Sequence, residues 1–267
     1  MTLKDRSQVS SKVTSGRVAL VTGATAGLGY DIVKRLARDG YRVVATATSE
    51  HNCDQIHANA KQDELSDVQA IHLNVTSEDN VREVIRTIDS TYGRLDVLVN
   101  NAGVALRVNG KKSLVVDTPL EDWQRTLDIN LTGTFLVSKH AIPLMQRHKW
   151  GRIINMSSRA ARTRTILAGS HYAASKAAIL GFSRILADEV AAHGITVNCI
   201  APTRISTPMA ASVSNPAEID AKFIAETPVG RMGVPKDVSA VVSFLASEEA
   251  SFLTGIIVDI SGGQFMP

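Results

Sequence analysis

The feature that most constrains this chain is an apolar run that breaks into glycines and resumes with helical spacing. Arg17-Val18-Ala19-Leu20-Val21 reads as a buried strand, Thr22-Gly23-Ala24-Thr25-Ala26-Gly27-Leu28-Gly29 follows, and Ile32, Val33, Leu36 and Ala37 then recur on one helix face. Glycines at 23, 27 and 29 let the backbone turn sharply, approach a pyrophosphate closely and open a helix whose N-terminus favours negative charge. A glycine turn alone is equally compatible with a purely structural bend. The context decides between the two.

That context is a repeated exchange of short strands and longer helices. Gly40 ends the first helix and residues 41–47 make a second strand, with Arg42 at its exposed start; a second βα unit follows. Residues 68–73 read as a third strand, Ser77 caps a helix to about residue 91 with Val81, Val84, Ile85 and Ile88 inward, and residues 95–100 form a fourth strand. One long helix is expected over 120–147, kinked at Pro143. Strands at 151–156, 195–200 and 255–260 and helices at 170–193 and near 237–247 complete the pattern. The expected fold class is α/β: a single-domain, Rossmann-like three-layer sandwich with a mostly parallel seven-stranded sheet flanked by helices. Residues 1–15, polar and Ser-rich, read as a flexible extension, and residues 16–267 as the domain. Pro202, Pro208, Pro216 and Pro228 break the chain where a mobile lid, about 203–230, is expected.

Composition narrows the function classes. The 267 residues carry 29 Lys plus Arg against 26 Asp plus Glu, a net charge of +3, too mild to argue for nucleic acid or an anionic membrane as partner. No apolar run approaches the ~20 residues a membrane span needs. Two cysteines, Cys53 and Cys199, make no disulfide framework, and a reducing, cytoplasmic setting is the expectation.

At the end of the second strand, a dinucleotide-binding fold places either an acid for the ribose hydroxyls or groups that accept a 2′-phosphate. The residues here are Ala45-Thr46-Ala47-Thr48-Ser49, with no carboxylate, and Thr48 and Ser49 can donate hydrogen bonds. NADP is therefore preferred over NAD. Further on, Tyr172 and Lys176 stand four apart on a helix, so a phenol and an ammonium are neighbours. A nearby cation favours phenolate and moves the tyrosine toward useful acid–base range.

The glycine turn, Asn100-Asn101-Ala102-Gly103, Ser157-Ser158 and Tyr172-x-x-x-Lys176 all fall at carboxyl ends of expected parallel strands or just beyond. Together they resemble the short-chain dehydrogenase/reductase family, over about residues 17–263. The resemblance implies that Tyr172 is the general acid in carbonyl reduction and that Lys176 lowers its pKa and bonds the nicotinamide ribose. It implies that Ser158 polarises the carbonyl and that Asn130 holds a water linking Lys176 to solvent. It places the cofactor against Gly23, Thr25, Ala26, Gly27, Leu28, Gly29, Thr48, Ser49, Asn74, Val75, Asn101, Ala102, Gly103, Tyr172, Lys176, Pro202, Thr203, Ile205 and Thr207, and it implies no metal. Asn74 stands where the family often has Asp, and Thr203 where it usually has Gly.

Within the family the pattern is most similar to 3-oxoacyl-carrier-protein reductases, which implies a small carbonyl or alcohol substrate, carrier- or CoA-linked in one version. Sugar, polyol and other secondary-alcohol dehydrogenases share the scaffold, and a non-catalytic dinucleotide sensor is the remaining alternative. The resemblance also implies a homotetramer, with a dimer as the alternative. Arg159, Arg162 and Arg164 read either as a solvated or interface face or as a contact for an anionic substrate. His171 reads as a packing residue, and the 104–118 loop, with Lys111-Lys112, either rims the pocket or is solvated.

Overall fold

The computed structural model describes residues 16–267; the expected extension at 1–15 lies outside the described residues. Seven strands form one sheet in the order β3-β2-β1-β4-β5-β6-β7: β1 Val18–Val21, β2 Arg42–Ala47, β3 Val68–His72, β4 Val97–Asn100, β5 Gly151–Met156, β6 Ile195–Pro202 and β7 Ile257–Ile260. Every pairing between these strands is parallel, so the sheet is more uniform than the mostly parallel one expected. Strand order reverses between β1 and β4. There the crossovers leave in opposite directions and open a crevice at the strands' carboxyl ends.

Helices cover both faces: α1 Gly27–Arg38, α2 Glu50–Gln62, α3 Glu78–Tyr92, α4 Leu120–Leu127, α5 Gly133–Arg147, α6 Ser170–Ala191, α7 Pro208–Ala211, α8 Pro216–Glu226 and α9 Pro235–Ala246. All four residues of β1 are buried, and its alternation divides them between two cores. Ala19 and Val21 pack with Ile32, Leu36, Val238 and Val242 of α1 and α9; Val18 and Leu20 pack with Val84, Ile88, Leu136 and Leu186 of α3, α5 and α6. A strand apolar at every position is therefore required in the middle of this sheet.

One long helix over 120–147 is not what forms. The path is regular to Leu127, widens into a π-helical turn over Asp128–Thr132, and resumes as α5, which runs through Pro143. The irregularity thus lies at Asn130 rather than at the proline. A π turn inserts one extra residue per turn, and such turns recur at functional sites. The segment expected as a proline-broken lid contains α7 and α8, with Pro208 and Pro216 at their first turns; the other departures are of one to two residues at element ends, and β6 continues two residues further because Pro202 pairs with Ile260.

Candidate active site

The glycine turn is closed by the end of β4. The Asn101 side-chain amide donates to the carbonyl oxygens of Thr22 and Gly23, each at 2.9 Å, and the Asn101 main-chain N–H donates to the Thr22 hydroxyl at 3.0 Å. Gly29 faces this same junction: a Cβ there would overlap the Gly23 carbonyl oxygen and sit 2.6 Å from Asn101 Nδ2. The turn therefore needs glycine for its own closure as well as for approach by a ligand.

The helix that leaves this turn has an uncapped N-terminus. Helices α2 and α3 are capped by Ser49 and Ser77 and carry acids in their first turns. Helix α1 has neither a side-chain cap on Ala26 nor a first-turn acid. Its leading N–H groups are left to a ligand, and their partial positive charge suits a phosphate.

Opposite the turn, β5 and α6 bring the reactive side chains together. Lys176 is 4% exposed, and its ammonium donates to the Met156 carbonyl oxygen at 2.7 Å. It lies 5.8 Å from the centre of the Tyr172 ring. Burial pulls the Lys176 pKa down to about 8. Burial pushes the Tyr172 phenol up, while the Ser158 hydroxyl and the Arg107 guanidinium pull it down. Arg107 is thus a second cation beside this phenol, together with the Lys176 ammonium near its ring.

The two serines divide their work. Ser157 is buried and donates to the Lys176 carbonyl oxygen at 2.8 Å, tying β5 to α6. Ser158, two residues past the strand, accepts from the Ala160 N–H at 3.1 Å and faces the phenol. Asn130 is fully buried in the π turn. Its Oδ1 accepts from the Val104 N–H at 2.8 Å, and its Nδ2 donates to the Val104 carbonyl and to Ser175 Oγ, each at 3.0 Å. It braces the peptide after Gly103 against α6, and a Cβ on Gly103 would come within 3.3 Å of Lys176 Nζ.

These elements surround a cleft of about 700 Å³. Lining it are Ser158, Tyr172, Lys176, Gly23, Thr25, Ala26, Gly27, Leu28, Gly29, Thr48, Asn74, Val75, Asn101, Ala102, Gly103, Pro202, Thr203, Ile205 and Thr207. Two expected site residues do not line it. Ser49 uses its hydroxyl to accept from the Asn52 N–H that opens α2, and Asn130 lies behind the wall. Among the three expected arginines, Arg159 lines the cleft, Arg162 pairs with Asp259 at 3.2 Å, and Arg164 is exposed. His171 is 1% exposed, in keeping with a packing role. Sequence reasoning passed over Arg107, Arg204, Met209 and Phe223, which also line the cleft. The 104–118 loop was the available signal: Lys112 donates to the Thr165 carbonyl at 3.0 Å, so the loop folds over the site.

Residues 23–264 match a family model described as enoyl-(acyl carrier protein) reductase. The 3-oxoacyl-[acyl-carrier-protein] reductase FabG of Vibrio cholerae is 38% identical over 252 residues, 94% of this chain and 98% of that one. The chain belongs to the short-chain dehydrogenase/reductase family. A Brucella melitensis 3-oxoacyl-[acyl-carrier protein] reductase solved with bound NAD superposes with a TM-score of 0.88 at 32% identity, covering 98% of this chain and 96% of that one. A candidate gluconate dehydrogenase from Agrobacterium tumefaciens gives 0.87 at 30% identity, with 94% and 96% covered. This short-chain dehydrogenase/reductase is accordingly an NAD(P)-dependent oxidoreductase acting on a small CH–OH or ketone substrate.

The residues of this dehydrogenase/reductase fit such a cofactor. The cleft lining contains Arg107, Arg125, Arg159, Lys176 and Arg204 and, among the described residues, no Asp or Glu. With the uncapped α1 N-terminus, that lining favours a ligand of several negative charges. Among the described residues, no helix of this family member is long and apolar enough to cross a membrane.

Proposed function

We propose that this protein uses NADPH to reduce the ketone of a 3-oxoacyl-type substrate. The observation that carries the reading is the convergence of Ser158, Tyr172 and Lys176 at the carboxyl end of β5, across the cleft from the Gly23–Gly29 turn. When bound, the nicotinamide supplies the hydride to the carbonyl carbon. Tyr172 donates its phenolic proton to the developing alkoxide, and Ser158 holds the carbonyl oxygen by a hydrogen bond. A buried phenol with a raised pKa stays protonated at neutral pH, which suits an acid in the reductive direction. Lys176, cationic below about pH 8, holds the ribose hydroxyls. Asn130 positions Gly103 and Ser175 around that amine, and this bracing is its contribution whether or not a water joins the relay.

Preference for NADP over NAD rests on Thr48, which lines the cleft at the end of β2 where no carboxylate is present to repel a 2′-phosphate. Residues 203–230, with α7 and α8, form the lid. Exposed Phe135 on α5 and Ile185 on α6 support assembly as a tetramer, with a dimer as the alternative; light scattering distinguishes them.

The test is a panel of carbonyl and alcohol substrates assayed with NADPH and NADH. A small β-keto ester should be reduced with NADPH, and Tyr172→Phe should remove most of that turnover. Cofactor binding with no turnover anywhere in the panel would point instead to a dinucleotide sensor. A second reading, a dehydrogenase of hydroxy acids, is favoured by one specific observation, the Arg107 guanidinium beside Tyr172, which has no carboxylate partner among the described residues.

A further inference from the structure

Arg107 is a half-buried side chain of the cleft wall. Its hydrogen bonds go to neutral acceptors only: Nη1 donates to Ser212 Oγ at 3.1 Å and Nε to the Leu167 carbonyl oxygen at 3.4 Å. Among the described residues it has no carboxylate partner. Arg204, next along the wall, is matched by Asp220. Arg162 is matched by Asp259. Arg107 is thus a cation kept partly out of water with its counter-charge missing, although a guanidinium in such a place ordinarily has one.

Its position identifies what the missing charge belongs to. Leu167 lies on the segment between Ser158 and Tyr172, and Ser212 lies just past α7, so Arg107 bridges the catalytic segment and the lid across the mouth of the substrate region. It is also a cation that acts on the Tyr172 phenol. The glycine turn and Thr48, which suit the cofactor's phosphates, follow β1 and β2, whereas Arg107 and the two residues it bonds follow β4, β5 and β6, on the side of the sheet that carries Ser158 and Tyr172. The anion is therefore carried by the substrate, close to its reacting carbonyl.

We propose that Arg107 is a specificity residue that pairs with a carboxylate on the substrate, so that the preferred substrate is an ionised oxo acid, or the corresponding hydroxy acid, over its neutral ester or thioester. The proposal rests on the oxidoreductase reading of the same cleft and narrows its substrate class. A planar guanidinium offers two parallel N–H groups to a carboxylate, a geometry that a lysine ammonium or an amide does not reproduce.

The experiment compares acetoacetate, ethyl acetoacetate and acetoacetyl-CoA with NADPH in the wild-type protein, Arg107→Gln and Arg107→Lys. All substrates share any loss caused by removing a cation near Tyr172, so the differential is the readout. The expected result is that acetoacetate is preferred by the wild type, and that Arg107→Gln lowers kcat/KM for acetoacetate at least thirtyfold more than for ethyl acetoacetate, mainly through KM. Arg107→Lys should recover only part of that difference. Equal losses on acid and ester, or a wild-type preference for ester or thioester, overturn the proposal while leaving the oxidoreductase reading intact. If no substrate of the set turns over, titration of the NADPH-bound protein with acetoacetate, followed by cofactor fluorescence, still decides: binding weakened at least tenfold in Arg107→Gln supports the carboxylate contact, and binding that is absent or unaltered refutes it. Thermal unfolding and NADPH affinity of each variant show that it is folded.

Discussion

The Lys176 ammonium donates across 2.7 Å to the carbonyl oxygen of Met156, the last residue of β5. This bond ties the reactive helix to the sheet and satisfies one of three ammonium donors in a setting where burial has brought the pKa to about 8. Relative to the unfolded value of 10.5, that depression amounts to about 3 kcal/mol of unfavourable charge burial. Between about pH 8 and 10.5 the unfolded chain holds more protons at this site, so its contribution to stability improves as pH rises through that window. Lys176→Met should gain stability over the wild type at pH 7 and lose most of that advantage by pH 10, as read by denaturant unfolding of the two proteins without cofactor. A gain independent of pH would mean the amine is not the group responsible.

Tyr172 sets the opposite pH dependence for the two reaction directions. Its phenol is held up by burial, and reduction needs it protonated, so the reductive rate should stay level through neutral pH and fall only in alkali. Alcohol oxidation needs phenolate and should climb over the same alkaline range. Initial rates of both directions across pH 6 to 10 would expose a mistaken assignment if the two profiles ran in parallel.

Asn130 makes three hydrogen bonds from a fully buried side chain. Replacing it with Ala strands the part-buried Val104 N–H and carbonyl and should cost about 2 kcal/mol or more, at the low end of about 1–3 kcal/mol for each group left without a partner. NADPH affinity should fall too, because Gly103 and the Lys176 amine share that corner. Calorimetric unfolding and a fluorescence titration measure the two effects; full NADPH affinity in a destabilised Asn130→Ala would limit its role to folding.

Thr48 and Ser49 separate recognition from capping. Thr48→Asp brings a carboxylate to the cleft end of β2 and should shift the ratio of NADPH to NADH efficiency toward NADH by tenfold or more. Ser49→Ala removes the cap of α2, costing about 1 kcal/mol, and should leave that ratio unchanged. Steady-state rates with both cofactors test the pair. A ratio that moves with Ser49 and not with Thr48 would reverse the assignment.

Much of the architecture was legible along the chain because it is local. An all-buried parallel strand has to be apolar at each position, so β1 announced itself, and residues four apart on a helix share a face, so Tyr172 and Lys176 did as well. The resemblance already singles out Ser158 over Ser157; the structure adds that Ser157 turns to the Lys176 carbonyl while Ser158 faces the phenol. Ser49 was assigned to the cofactor because cap and phosphate-binding residues share the same chemistry at a strand–helix junction.

The sequence by itself determined the order of strands and helices, the glycine turn, and the phenol–amine pair, because each depends on neighbours within a few residues. Only the tertiary structure decided that a π turn replaces helix at Asn130, that this side chain braces Val104, and that Arg107 crosses to Leu167 and Ser212 beside Tyr172. Those contacts join residues 26, 60 and 105 positions apart, and no periodicity records such distances; they arise when the parallel sheet gathers its strand ends along one edge.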